Sequence, residues 1–110
     1  MTPEMIEEIA RVFRALSVPS RLHILHALKA GEQHVGGLVE SLGLSQANVS
    51  KHLRVLKETG LVVDRQEGSR VFYSHSGPFV YELCELVCEG IAPQLAERAR
   101  RFGVFGSASS

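Results

Sequence analysis

The sequence predicts a mainly α fold with a small β-hairpin, in the order four helices, hairpin, fifth helix. Three observations support it. Apolar residues recur at intervals of three and four through most of the chain. Between residues 61 and 75 that period gives way to two short β-patterned runs flanking a glycine-bearing turn. Helix caps and breakers, among them Thr2-Pro3, Val18-Pro19, Gly31, Ser45 and Gly60, fall where the periodic runs begin and end.

The first helix is expected over Pro3–Leu16, with Met5, Ile6, Ile9, Ala10, Phe13 and Leu16 on one side and Thr2 as its cap. Val18 precedes a proline and so avoids helical angles, which separates this helix from a second over Ser20–Lys29. Leu22, Ile24, Leu25 and Leu28 are expected to face inward there. A short third helix over Val35–Leu42 is weakened at its start by Gly36 and Gly37. After the tight turn Gly43-Leu44-Ser45, a fourth helix runs from Gln46 to Thr59 on the anchors Val49, Leu53 and Leu56. Strands at Leu61–Gln66 and Val71–His75 flank the turn Glu67-Gly68-Ser69-Arg70. The last helix, Phe79–Ile91, is expected to kink or restart at Pro93 and continue to Phe102. Residues 1–102 are thus expected to form one domain, and Gly103–Ser110 a disordered tail.

Composition sets the outer limits. The 110 residues suffice for one core, and the 45% hydrophobic, 22% charged balance is that of an ordinary globular domain. No apolar run reaches the roughly 20 residues that a membrane span requires. The polar, acidic start Met1-Thr2-Pro3-Glu4 does not resemble a secretory signal, and the expected compartment is the cytoplasm. Two cysteines, Cys84 and Cys88, are too few for a disulfide framework. Formal net charge is zero, yet the charge is segregated. Between Ser45 and His75 five basic residues (Lys51, Arg54, Lys57, Arg65, Arg70) face three acidic ones (Glu58, Asp64, Glu67), whereas acids gather at both ends. Phosphate binding depends on local charge, so DNA remains an admissible partner.

The order of elements is that of a winged helix-turn-helix. On the fourth helix, the three aliphatic anchors turn Ala47, Ser50, Lys51, Arg54 and Glu58 outward, with Gln46 and Asn48 flanking the N-terminal end. Gln46, Asn48 and Ser50 are expected to meet base edges, and Lys51 and Arg54 phosphates or guanine. His52 is expected to position the helix or touch a phosphate. In the hairpin, Arg65, Gln66, Ser69 and Arg70 lie where a wing tip reaches the minor groove or the backbone. A winged-helix module used only for protein partners is the alternative, and the neutral total charge favours it. An enzyme has little support, with no glycine-rich phosphate loop and no nucleophile–base pair.

The run Ala15-Leu16-Ser17-Val18-Pro19-Ser20-Arg21-Leu22-His23-Ile24-Leu25 resembles the opening motif of the ArsR/SmtB family of transcriptional regulators. Leu44-Ser45-Gln46-Ala47-Asn48-Val49-Ser50-Lys51-His52-Leu53-Arg54-Val55-Leu56 is similar to its recognition-helix signature. Gly60-Leu61-Val62, Arg65, Gly68 and Val71-Phe72-Tyr73 resemble its wing. The resemblance extends from about Ile9 to Ile91. It implies a homodimer built from the first and last helices and double-stranded operator DNA with two half-sites. It also implies repression that an effector relieves or changes. The wide apolar arc of the last helix independently asks for a partner surface.

The family's effector sites are only partly represented. The cysteine pair of its arsenic-type site is absent from the start of the third helix, which reads Val35-Gly36-Gly37-Leu38. The last helix lacks the aspartate and histidines of its zinc-type site, although His75 precedes it. Cys84 and Cys88 remain, four apart and so on one helical face, suited to a transition-metal or metalloid ion or to thiol chemistry. His75 or Glu89 would be an additional ligand. Both cysteines equally fit the apolar stripe as small hydrophobes, and the sequence leaves the two readings open. His23 and His26, three apart, read mainly as surface residues.

Overall fold

The computed structural model describes residues 1–102, so the expected tail Gly103–Ser110 lies outside the described residues. Two compact units, Met1–Gly77 and the segment from Pro78 onward, are taken in turn.

In the first unit, α1 (Pro3–Leu16) is capped by Thr2, whose side chain accepts a hydrogen bond from the Met5 amide at 3.2 Å. Val18 is extended, as a residue before proline must be, and α2 (Pro19–Lys29) begins on that proline. Arg21 crosses back from α2, its Nε donating to the Ala15 carbonyl at 2.7 Å and a terminal nitrogen to Arg14 at 3.2 Å. A cation thereby satisfies the orphan carbonyls at the end of α1.

A two-residue strand, β1 (Gln33–His34), then leads directly into α3 (Val35–Leu42). Strand β1 leaves no pattern in the sequence, because two residues show no alternation. Gly43 ends α3 in the left-handed region, at φ 68°, where a side chain would be strained. Ser45 caps α4 (Gln46–Glu58) by accepting from the Asn48 amide at 3.1 Å. Strands β2 (Val62–Glu67) and β3 (Arg70–His75) form the hairpin, and β3 lies between β1 and β2 in a three-stranded antiparallel sheet. Both strands begin or end one residue nearer the turn than the pattern suggested. Glu67 pairs with Arg70, so the loop is only Gly68-Ser69, with Gly68 at φ 63°. A positive φ at the first loop residue alone is the pattern of a type II′ turn.

The core of this unit is Ala15, Ile24, Leu25, Leu28, Leu38, Val49, Leu53, Leu56, Leu61 and Val62. Helix α2 packs on α3, α4 and β3, and α4 packs on α3 and β2. Leu22, expected inward, is instead 39% exposed. At about 100° per residue it stands at the rim of the arc centred on Ile24, Leu25 and Leu28, where the covering elements end. Along α1, Met5, Ile6, Ile9 and Phe13 form an apolar stripe that is exposed.

The second unit is the helix α5 (Phe79–Phe102), which runs through Pro93 as one helix rather than the two pieces the proline suggested. The missing amide removes a single ladder bond, and the turns on either side keep theirs. Val80 is buried, whereas Phe79, Leu86, Val87 and Ile91 are exposed. Leu53 is fully buried, so Leu53→Ala should lower unfolding stability by about 2–5 kcal/mol in urea titrations followed by circular dichroism.

Candidate nucleic-acid interface

Helix α4 has two sharply different faces. Val49, Leu53 and Leu56 are 0% exposed, and they fix the rotation of the helix about its axis. Opposite them, Ala47, Ser50, Lys51, Arg54 and Glu58 are exposed, as the spacing required, and Gln46 and Asn48 are exposed at the helix start. Lys51 and Arg54 form no ion pair among the described residues. The outward face is therefore small at Ala47 and Ser50, hydrogen-bonding at its start, and basic on two successive turns. Such a surface fits a major groove.

His52 needs correcting. Expected to position the helix or touch a phosphate, it is only 8% exposed and belongs to the buried stripe. The signal was present, since His52 stands three after Val49 and four before Leu56. Its Nδ1 is buried without a hydrogen-bond partner among the described residues. Burial lowers the imidazole pKa below 6.5, and the nearby charges of Arg21 and Lys51 push in the same direction. Burial on the anchored face speaks against the phosphate contact expected of His52, and the lowered pKa favours its neutral form.

The wing divides its cations between two roles. Arg65, expected at the DNA, donates from Nε and a terminal nitrogen to both carboxylate oxygens of Glu32, at 2.7 and 2.6 Å. A third bond reaches Glu67 at 3.3 Å, and the guanidinium lies 4.8 Å from the Phe72 ring centroid. Arg65 lowers the Glu32 pKa and is itself held protonated by that bond. Its charge is committed within the protein. Arg70, by contrast, is exposed beside the turn and has no ion pair among the described residues. Ser69 is likewise exposed, and the Gln66 amide donates to the Gly68 carbonyl at 3.4 Å. Lys57, also basic, pairs with Asp64 of β2 at 2.9 Å, tying α4 to the wing.

The candidate effector residues fall in different units. His75 closes β3 and is half-buried. Cys84 and Cys88 are free thiols on α5, the first half-buried and the second exposed. No group of three or more His, Cys, Asp or Glu among the described residues is arranged to hold a metal ion. Among the same residues no helix is long and apolar enough to cross a membrane.

A helix presented by a tight turn, an adjoining hairpin wing and a basic, polar outward face together define a winged helix-turn-helix DNA-binding protein. Residues 18–63 match the family described as bacterial regulatory protein, arsR family. The chain is 42% identical over 106 residues to the HTH-type transcriptional regulator CmtR of Mycobacterium tuberculosis, covering 90% of each. It is also 42% identical over 77 residues to a probable mercury resistance operon repressor of Streptomyces lividans, covering 70% of this chain and 62% of that one. Among solved structures, the homodimeric winged helix-turn-helix DNA-binding domain of Mb0332 from Mycobacterium bovis is similar at a TM-score of 0.73 and 35% identity. That match covers 86% of this chain and 87% of the other. The chain belongs to the ArsR family, and it is a DNA-binding transcriptional regulator rather than an enzyme.

The His52 environment sets a pH dependence. Its folded pKa lies below the unfolded value, so the unfolded chain takes up the proton first. The stability is present above about pH 6.5 and lost as pH falls through the folded value. Between about pH 7 and pH 5, the melting temperature of wild type should therefore fall further than that of His52→Gln, read by differential scanning calorimetry.

Proposed function

We propose that the chain is a repressor acting as a homodimer on an inverted-repeat operator. Gln46, Ala47, Asn48, Ser50, Lys51 and Arg54 face the major groove, and Gln66, Ser69 and Arg70 form the wing contact. The observation that carries this reading is the uncommitted pair Lys51 and Arg54 on the face opposite three fully buried anchors. Gln46, Asn48 and Ser50 supply the donors and acceptors that read base edges, while the two cations add phosphate or guanine contacts.

The dimer is supported by two exposed apolar stripes. Met5, Ile6, Ile9 and Phe13 on α1, and Phe79, Leu86, Val87 and Ile91 on α5, are each between 38% and 55% exposed except Leu86, at 65%. Rows of large apolar side chains left in water are the signature of an association surface. A two-fold pairing through these helices would present two copies of α4 to one face of the duplex, a helical turn or a multiple of it apart. The homodimeric state of the similar Mb0332 domain and the repressor name of the Streptomyces relative support the same reading.

For the effector we propose the thiol pair. Cys84 and Cys88 are one turn apart on α5, so two sulfurs face the same way and suit a soft metal or metalloid ion. Thiolates are the ligands such ions prefer, and an exposed thiol remains open to them.

Both parts are tested with a duplex carrying the chain's own upstream promoter region, by fluorescence anisotropy. Wild type should bind with an affinity that falls steeply with salt, and Arg54→Ala should weaken binding by about tenfold or more. Binding that ignores both salt and Arg54 would contradict the proposal. Added zinc or arsenite should shift the affinity of wild type but not of Cys84→Ser/Cys88→Ser. An equal response in both would remove the thiol pair from the mechanism.

A further inference from the structure

We propose that Glu32 and Arg65 are positioning residues for DNA binding, an ion-paired brace that fixes the wing to the entrance of the helix-turn-helix. Neither needs to touch DNA. The inference rests on the wing reaching the duplex through Arg70, and the experiment below separates the two claims.

The brace follows from the sheet register. Arg65 of β2 stands opposite Phe72 of β3, and Phe72 stands opposite His34 of β1. The three residues form one row across the sheet, with the His34 and Phe72 rings 5.7 Å apart and the Arg65 guanidinium 4.8 Å from the Phe72 centroid. Arg65 extends along this row past the central strand and grips both oxygens of Glu32, the residue immediately before β1. One side chain thus joins all three strands.

The reason for such a device is the shortness of β1. Its two residues contribute few ladder bonds, yet β1 is the only strand continuous with α3, the first helix of the DNA-reading motif. The ladder between β1 and the hairpin offers two register pairs, Gln33 with Tyr73 and His34 with Phe72, and the Arg65–Glu32 pair adds to them at the β1 side what Lys57–Asp64 adds at α4. A bidentate guanidinium–carboxylate pair is directional in a way that a lysine pair is not. It therefore sets the angle of the hairpin as well as its proximity. The wing tip, where Arg70 and Ser69 lie, is at the far end of that lever.

The test exploits a sign. Glu32 carries negative charge and neutralises a wing cation, Arg65, so its removal on electrostatic grounds alone should strengthen binding to polyanionic DNA. If the carboxylate positions the wing, Glu32→Gln should instead weaken binding to the promoter duplex by about fivefold, within the range for coupled neighbours. Arg65→Lys keeps the charge but loses the fork, and it should weaken binding similarly without changing the salt slope. The double variant Glu32→Gln/Arg65→Lys should bind no more weakly than either single one. Melting temperatures and dimer mass of all three should match wild type, which distinguishes positioning from a general loss of fold. Arg70→Ala, measured alongside, should weaken binding and flatten the salt slope by about one contact. Glu32→Gln binding as tightly as wild type or more tightly would overturn the brace. An Arg70→Ala variant that binds like wild type would overturn the wing contact, and the brace with it.

Discussion

The seating of α4 governs everything else in this molecule. Val49, Leu53 and Leu56 have no exposed surface, and His52 joins them, so four side chains spanning two turns lock the helix at one rotation. Protein interiors are close-packed, and a helix held at that density cannot roll by a residue without creating voids. Because the rotation is fixed, the opposite arc is fixed too. That arc holds the alanine, serine, lysine and arginine that a groove-reading helix needs. The proposed recognition surface is thus a consequence of where the apolar residues of α4 stop.

Charge is distributed by the same economy. The chain has no net charge, and most of its paired cations brace the fold. Arg21 closes the end of α1, Lys57 ties α4 to β2, and Arg65 reaches across the sheet to Glu32. Among the described residues, Lys51 and Arg54 on α4 and Arg70 beside the wing turn form no ion pair, which is also true of Arg14 and Arg98 elsewhere. A neutral total is therefore compatible with DNA binding. Three of these cations lie on the two elements proposed to meet a duplex, and the acids of the ends stand apart from them in sequence. Affinity built on few phosphate contacts is modest and salt-sensitive, which leaves base contacts a large share of the selectivity.

The fold was legible in the sequence to the extent that its determinants are local. Thr2, Pro19 and Ser45 start their helices, and Gly43 and Gly68 take up positive φ at their turns, each within a few residues of what it controls. The order of five helices and a hairpin, and the outward arc of α4, follow from those signals. Less was legible wherever a partner is distant. Strand β1 exists only because β3 pairs with it, and the Arg65–Glu32 pair joins residues 33 apart in sequence. Arg65 thus looked like a free wing cation until its partner was visible. His52 is a different case, because its spacing from Val49 and Leu56 placed it in the buried stripe. Its polarity, and its neighbours Lys51 and Leu53, drew attention to the groove instead. Leu22 shows the converse error, an apolar residue assigned inward by type although it stands at the rim of the buried arc.

The most direct measurement is a two-dimensional amide NMR titration of the uniformly labelled protein with its promoter duplex. The largest shifts should fall on Gln46, Ala47, Ser50, Lys51 and Arg54, with a second group at Ser69 and Arg70. Resonances along α4 that stay in place while another surface responds would show that this helix is not what meets the bases.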